Sequence, residues 1–159
     1  MNVILPIPTA GGNYLALYND EGLQELRFPH QPSVELNTQP TASQKSWHTL
    51  TTLAVSRVLE GRSIQKLPPF SLQGTDFRKS VWLALQNISL GKTSSYGEVA
   101  KTIGRPKATR AVGSACGRNP IPLLIPCHRV LAFNGKLGGF SGGLEIKIQL
   151  LAVEGLHFT

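Results

Sequence analysis

The sequence predicts an α/β protein built of two small parts, and three observations support this. Apolar residues first recur in short segments between turn residues and later at helical spacing, so strands precede helices. A proline pair, Pro68-Pro69, cannot lie inside a helix and separates the two patterns. The surplus of positive charge lies after that pair. The chain has 159 residues, enough for one ordinary domain or two small ones. We therefore predict domains at residues 1–68 and 69–159.

The sequence of the first part predicts a β-hairpin followed by one helix. The segment NYLALYNDEGLQELRF (13–28) has two apolar stretches around the turn residues 19–22. Residues 29–43 are rich in turn-forming types and indicate a connection. A helix ending at Gly61 follows, with its apolar face at Trp47, Leu50, Ala54 and Val58.

The second part predicts several short helices. Thr75 can cap a helix whose inner face is Phe77, Val81, Leu85 and Ile88. Residues 95–98 (SYGE) fit a capping box, Gly104 ends the helix that it opens, and RPKATRAVGSACG (105–117) starts another. Two short helices joined by a tight turn suggest a helix-turn-helix. The last helix is expected over 144–154, with a core stripe of Leu144, Ile148 and Leu151.

The charge distribution indicates a polyanionic partner for the second part. The net charge is +7; residues 1–70 hold five Lys/Arg against five Asp/Glu, and residues 71–159 hold eleven against four. A basic half joined to a neutral one is typical of nucleic-acid binding. A merely soluble, basic protein is the alternative, because composition alone does not establish binding.

Several classes of protein fit the sequence poorly. No apolar run approaches the roughly 20 residues of a membrane span, and the N-terminus lacks the basic and apolar regions of a signal peptide. Two cysteines eleven positions apart suit neither a disulfide framework nor a four-ligand zinc site. The glycine-rich GGFSGG (138–143) lacks the spacing of a dinucleotide loop. We therefore expect a cytoplasmic protein without membrane contact.

The segment IPLLIPCHRVL (121–131) places Cys127, His128 and Arg129 side by side. Lone cysteines are more often buried small apolar groups than nucleophiles. Here the neighbouring imidazole and guanidinium would lower the pKa of the thiol and favour a thiolate. Because neighbours on an extended strand point to opposite faces, contact between Cys127 and His128 requires a turn or a bridging water.

Two further residues have a functional and a structural interpretation. Glu154 lies at the end of the last helix, where the helix dipole disfavours a carboxylate, and could orient the imidazole of a Cys-His pair. It could equally be a solvated surface residue. Arg110 is surrounded by small residues (108–115) that would let its helix approach another surface closely, or simply pack tightly against another helix. With Arg105 and Lys107 it suits phosphate contacts. Cys116 is expected to serve packing.

Six motifs in this order resemble the O6-alkylguanine-DNA alkyltransferases: SYGEVA, RAVG, NPIP, PCHRV, GGFSGGL and LLAVEG. The resemblance is dense over 74–155 and loose before that. It implies an N-terminal α/β domain of ribonuclease-H-like topology and a C-terminal winged-helix-like domain. It also implies a single transfer of an alkyl group from O6-alkylguanine, and by extension O4-alkylthymine, in double-stranded DNA.

The resemblance assigns roles to the residues of these motifs. Cys127 would accept the alkyl group, with His128 and Glu154 activating it through a water and Asn119 bracing the site. Tyr96 would interact with the target base and the DNA backbone. The remaining expected contacts are Arg110 as the finger that replaces the extruded base, Gly97, Arg105 and Lys107 on DNA, and Val130, Ser141 and Phe140 on guanine.

Some family features are absent or altered in this sequence. Phe140 stands where many relatives have tyrosine, and Cys116 falls at a position on the pocket floor. The N-terminal half lacks the cysteines of the zinc site found in some relatives. We therefore expect no metal and no cofactor. We also expect a monomer, and the resemblance implies that it binds the minor groove of DNA. A Cys-His-Glu hydrolase and a lesion-sensing DNA-binding regulator are the alternative functions.

Overall fold

The computed structural model describes residues 2–32, 35 and 39–158, and its first element is a three-stranded antiparallel sheet. Strands β1 (Val3–Thr9), β2 (Gly12–Tyr18) and β3 (Leu23–Arg27) lie in that order. The hairpin expected around residues 19–22 is confirmed, since it joins β2 to β3. Asn19 Oδ1 closes its turn by accepting the backbone N–H groups of Glu21 and Gly22 at 2.8 and 3.0 Å. Within the connection expected at 29–43, residues 33, 34 and 36–38 lie outside the described residues.

Helix α1 (Ala42–Leu59) lies against this sheet and confirms the first helix expected from the sequence. Thr41 and Gln44 form a capping box at its start. On its inner face Ala54 and Val58 are buried. The helix ends where Gly61 adopts a φ of +72°, a left-handed conformation that favours glycine.

The second part is mainly helical. Its elements are α2 (Asp76–Leu85), β4 (Ser94–Ser95), α3 (Tyr96–Thr102), α4 (Thr109–Gly117), β5 (Val130–Leu131) and α5 (Leu144–Val153). Strands β4 and β5 form a short parallel pair, and 3-10 turns occupy 127–129 and 133–135. Within the described residues the protein is thus mixed α/β, with a small antiparallel sheet and five helices, and the predicted α/β class is confirmed.

The expected caps and the helix-turn-helix are present. The Thr75 side chain accepts the N–H of Arg78 at the start of α2, and Ser95 with Glu98 forms the capping box of α3. Helices α3 and α4 pack together across the turn at 103–108. The indole N–H of Trp82 donates to the carbonyl of Ala115 at 2.9 Å, which fixes α2 against α4.

The core stripe expected for the last helix is wrong in part. Leu151 is fully buried, but Leu144 is 48% exposed and Ile148 is only half-buried. The buried positions of α5 are Lys147, Leu150 and Leu151. Apolar periodicity missed Lys147 because its ammonium is satisfied by backbone carbonyls inside the protein, as described below.

Backbone bonds and aromatic rings connect the two parts. The N–H of Leu23 donates to the carbonyl of Pro69, and the N–H of Ser71 donates to the carbonyl of Leu23, both at 2.8 Å. Phe28, just after β3, meets Phe140 edge-on with ring centroids 5.7 Å apart. The domain boundary at residue 68 stays a prediction. In the part of the chain that the structure describes, no helix is long and apolar enough to cross a membrane.

Candidate active site and DNA-binding surface

Cys127 begins a 3-10 turn that follows an irregular buried segment. Asn119 braces this segment, because its Nδ2 donates to the carbonyl of Ile125 at 2.8 Å and its Oδ1 accepts the N–H of Ile121 at 3.0 Å. The turn also brings His128 into the interior, whereas an extended strand would point it away from the Cys127 side. The turn required by the sequence argument is therefore present.

The Cys127 thiol is buried, and burial raises its pKa to about 11, although Asn119 and the nearby Lys147 oppose the rise. The basic neighbours therefore do not lower the pKa of the thiol, contrary to the expectation from the sequence. The physical reason is that Arg129 pairs with Glu154, while burial penalises a thiolate. At neutral pH the thiol is therefore protonated, and it needs a base before it can act as a nucleophile.

His128 and Glu154 form a buried hydrogen-bonded pair. His128 Nε2 lies 2.8 Å from Glu154 Oε2, and the two side chains are 0% and 1% exposed. Arg129 Nε and the N–H of Gly91 donate to Glu154 Oε1 at 2.8 and 2.9 Å. Arg129 also donates from Nη1 to the carbonyl of Ile88 at 2.7 Å. Glu154 is therefore not a solvated surface residue.

These contacts determine the charge and the tautomer of the pair. Burial alone would raise the pKa of Glu154, but hydrogen bonds from His128, Arg129 and Gly91 outweigh it and lower the pKa to about 2. Burial lowers the pKa of His128, although Glu154 opposes this. A neutral imidazole beside a carboxylate carries its proton on Nε2. Nδ1 is then a lone-pair acceptor, and it is buried with no protein partner among the described residues.

Cys127 opens into a cavity of about 360 Å³, within the size range of small-molecule sites. Its lining combines small residues of α4, the loop at 139–141 and two aromatic rings: Tyr96, Gly113, Cys116, Gly117, Cys127, Gly139, Phe140 and Ser141. Cys116 is on this wall, as the sequence resemblance implied, and burial raises its pKa to about 12. The cavity has room for a group of small-molecule size beside the thiol.

Tyr96, at the start of α3, lies against the loop that covers this cavity. A Cβ at Gly138 would come within 2.9 Å of the Tyr96 hydroxyl, and Gly138 has a φ of +68°. Both facts require glycine there. Burial raises the pKa of Tyr96, and the negative forms of Cys116 and Cys127 raise it further. The phenol therefore keeps its proton and can donate it to a group in the cavity.

Lys147 is a residue of this site that the sequence argument missed. Its ammonium is buried and donates to the carbonyls of Val130 at 2.8 Å, Gly139 at 3.1 Å and Leu137. It thus ties the covering loop to the segment that follows Cys127. Burial lowers its pKa, while its interaction with Cys127 opposes the shift. A lysine inside an otherwise apolar helix face was the available signal.

The expected guanine-reading residues surround the cavity in different ways. Ser141 is exposed at its rim, and Phe140 lines it while packing on Phe28. The Val130 side chain is buried away from solvent, and its carbonyl accepts from Lys147. The Cys127 carbonyl accepts the N–H of Val130. Each of these two carbonyls retains one lone pair for a ligand.

The expected DNA-contacting residues lie at the start of α4 and around it. Arg110, Arg105 and Lys107 are exposed, and Gly97 is half-buried near Ser95 and Thr109. Arg110 precedes Gly113 and Gly117 by three and seven residues, so it shares their helix face one turn away. That face lines the cavity. No side chain caps the start of α4, which leaves N–H groups for an anion.

A metal site was not expected, and no group of three His, Cys, Asp or Glu suited to a metal ion occurs within 2–32, 35 and 39–158. The absence of metal and cofactor stays a prediction.

Fold and site together define a small α/β protein in which a helix-turn-helix lies beside a buried site containing Cys127, His128 and Glu154. Residues 76–156 match the family model described as 6-O-methylguanine DNA methyltransferase, DNA binding domain. A methylated-DNA--protein-cysteine methyltransferase of Methanosarcina barkeri is 42% identical over 90% of this chain and 90% of its own. Another, of Methanosarcina acetivorans, is 53% identical over 63% of this chain and 67% of its own.

Solved structures agree with these sequence relatives. Mycobacterium tuberculosis OGT in complex with DNA has 37% identity and a TM-score of 0.78, covering 94% of this chain and 90% of that one. The O6-methylguanine methyltransferase of the same organism has 34% identity and a TM-score of 0.79, covering 97% and 93%. The chain therefore belongs to the methylated-DNA--protein-cysteine methyltransferase family, and the resemblance stated from its motifs is confirmed.

Proposed function

We propose that this protein repairs DNA by direct damage reversal, moving the alkyl group of O6-alkylguanine onto Cys127. The observation that carries the proposal is the position of that thiol. It faces a base-sized cavity, follows a helix-turn-helix, and adjoins a His128–Glu154 pair whose Nδ1 is free to accept a proton. The names of the relatives point to the same activity.

The substrate must leave the duplex to reach this buried thiol. Flipping a nucleotide costs a few kcal/mol of unstacking and unpairing, which added contacts must offset. We assign that role to Arg110, because it is exposed and lies one helical turn before Gly113, a residue of the cavity wall. Small residues on this face suit close approach to the minor groove. Arg105, Lys107, Gly97 and the uncapped start of α4 would contact phosphates.

In the transfer step the sulfur of Cys127 attacks the carbon on O6 in line with the bond that breaks. A C–S bond forms, the C–O6 bond breaks, and its electrons stay with guanine. The thiol proton passes to His128 Nδ1 through a water, and the ionised Glu154 stabilises the imidazolium. Tyr96 donates a proton to the departing guanine and regains one from the His128 imidazolium through water, so the thiol proton ends on guanine and both side chains return to their starting forms. Asn119, Val130, Phe140 and Ser141 would position the acceptor and the base.

The product determines how often the protein can act. A thioether is stable to every group in the site, so each molecule transfers one alkyl group and needs no cofactor. We extend the substrate class to O4-alkylthymine, whose alkyl carbon would meet the same thiol. Both cysteines are free thiols, which fits the reducing cytoplasm that we propose as the location. We expect the protein to act as a monomer.

Incubation with an excess of duplex containing O6-methylguanine tests the proposal. Intact-protein mass should rise by one methyl group, and the number of restored guanines should equal the number of protein molecules. Continued product formation would identify a hydrolase. Tight binding without a mass change would identify a lesion-sensing regulator. Either outcome would refute the proposed transfer.

A further inference from the structure

Phe133 is an exposed aromatic side chain that the transfer mechanism does not use. It is 83% exposed, more than any other large apolar side chain in the described part of the chain. This exposure leaves most of the apolar surface of the ring in water, so a partner that covered it would gain binding free energy.

The backbone holds Phe133 at the tip of a short, fixed loop. The N–H of Ala132 donates to the carbonyl of Lys136 at 2.7 Å, and Gly135 donates back to Ala132 at 3.2 Å. Asn134 and Gly135 have φ values of 65° and 73°, which allow so tight a turn. Strand β5 enters the loop and pairs with β4. The ring is therefore presented on a rigid support.

The loop faces a cleft next to the acceptor cavity. This cleft, of about 410 Å³, is bounded by Phe133–Gly135 on one side and by the starts of α3 and α4 on the other, at Tyr96, Gly97 and Thr109. Tyr96 lines both the cleft and the acceptor cavity. The cleft is thus continuous with the surface to which the flipped nucleotide must come.

The chemistry of the cleft fits a nucleotide of a DNA strand. Hydroxyl groups of residues 93–96 and Thr109 can meet phosphate or sugar oxygens, while the Phe133 ring can cover a base or sugar face. Lys136 on the same loop and Arg110 beside Thr109 are exposed cations. Glu98, the acidic residue at this cleft, is engaged in the capping box with Ser95.

We propose that Phe133 is an apolar wedge that packs on the unstacked nucleotide step beside the extruded base in duplex DNA. Apolar side chains of minor-groove proteins insert between base steps in this way and stabilise a distorted duplex. Phe133 and Arg110 would then hold the flipped state from the two sides of Tyr96. The inference rests on the proposed function, because it needs a base to be extruded.

Binding of lesion-containing duplex to proteins that carry Cys127→Ser, so that no transfer alters the DNA, provides the test. Phe133→Ser should weaken this binding roughly 5- to 150-fold, the range for loss of one base–aromatic contact. The salt dependence should stay the same, since no charge is removed. Phe133→Trp should bind within a few-fold of the parent. Leu53→Ser, an exposed apolar position on α1, is the matched control and should have no effect.

A second measurement separates the wedge from the active site and from the proposed function. With Cys127 intact, Phe133→Ser should accept methyl from free O6-methylguanine base at the parent rate, and 2-aminopurine placed beside the lesion in duplex DNA should show less unstacking. Unchanged duplex affinity of Phe133→Ser overturns the wedge. If that variant also loses self-association, the Phe133 ring instead packs against a second copy of the chain. A matching loss on free base also overturns the wedge. Failure of the parent protein to gain a methyl group from lesion-containing duplex would instead refute the proposed function.

Discussion

Glu154→Gln tests how the site removes the proton from Cys127. The two oxygens of Glu154 have different partners: Oε1 accepts from both Gly91 and Arg129 at 2.9 and 2.8 Å, and Oε2 accepts from His128 at 2.8 Å, with Arg129 at a longer 3.2 Å. A glutamine has a single oxygen, and two close donors fix it at the Oε1 position. Its NH2 group then faces His128.

That arrangement reverses the tautomer of His128. Nε2 must become an acceptor for the glutamine NH2, so the imidazole proton moves to Nδ1, which can no longer receive the thiol proton. Loss of the correct tautomer in a comparable His–carboxylate pair costs about 10⁴-fold in rate, and loss of a general base typically 10²–10⁴-fold. We expect single-turnover transfer from free O6-methylguanine to slow by roughly 10³-fold.

The assay is a single-turnover rate measured from pH 5 to 9, with Glu145→Gln as the matched control. Glu145 is an exposed carboxylate in the first turn of the same helix, so its rate should match the parent. Because burial lowers the pKa of His128, the parent rate should fall only below its ordinary pKa of 6.5, as the base becomes protonated. A Glu154→Gln protein with the parent's rate and pH profile would refute the proton relay.

The other predictions concern the acceptor Cys127, the base-replacing Arg110, the buried Lys147 and the stability of the protein in acid. Cys127→Ser should abolish transfer and leave duplex affinity nearly unchanged in a binding assay, since phosphate contacts dominate affinity; methyl transfer at a normal rate would exclude the assignment. Arg110→Ala should slow repair of duplex about 10- to 100-fold yet leave transfer from free base unchanged, with a smaller loss opposite a mismatch; equal loss on both substrates would point to a damaged site. Lys147→Met should lower the free energy of unfolding by roughly 2 kcal/mol or more in urea titrations, because three carbonyls lose their donor, whereas Lys136→Met on the exposed loop should not. The pKa of Glu154 is about 2 in the folded protein and 4.5 in the unfolded chain, so the carboxylate contributes roughly 3 kcal/mol to stability above about pH 5, and this is lost as the pH falls through about 2. Urea titrations at neutral and at acidic pH should show the free energies of unfolding of Glu154→Gln and the parent converging in acid. A difference that stays constant with pH would contradict this.

Local patterns predicted most elements of the fold. The hairpin at 19–22, the caps at Thr75 and Ser95, and the glycine after α1 each depend on interactions within a few residues, which sequence displays directly. The prediction of the core face of α5 failed because that face depends on partners that are distant in sequence. Lys147 is buried since three carbonyls from 130, 137 and 139 converge on its ammonium, and no spacing rule reveals that convergence.

The sequence pointed to most residues of the candidate site, with Lys147 as the exception, but not to the electrostatics of the site. Motif resemblance pointed to Cys127, His128 and Glu154, and the structure brings His128 and Glu154 into direct contact. The neighbouring Arg129 suggested a lowered thiol pKa, yet its guanidinium turns to Glu154 and Ile88, and burial raises the thiol pKa. Side-chain direction and burial are tertiary properties, so the sequence neighbours of Cys127 predicted a shift of its pKa in the wrong direction.

The position of the transferred methyl group tests the central claim most directly, because two cysteines line the same cavity. After reaction with duplex carrying isotopically labelled O6-methylguanine, trypsin should separate them into the peptides 111–118, with Cys116, and 119–129, with Cys127. The account predicts the label on Cys127 alone, in an amount equal to the repaired lesions. Label on Cys116, or its even division between the two peptides, would contradict the assignment of the acceptor and of the relay built around it.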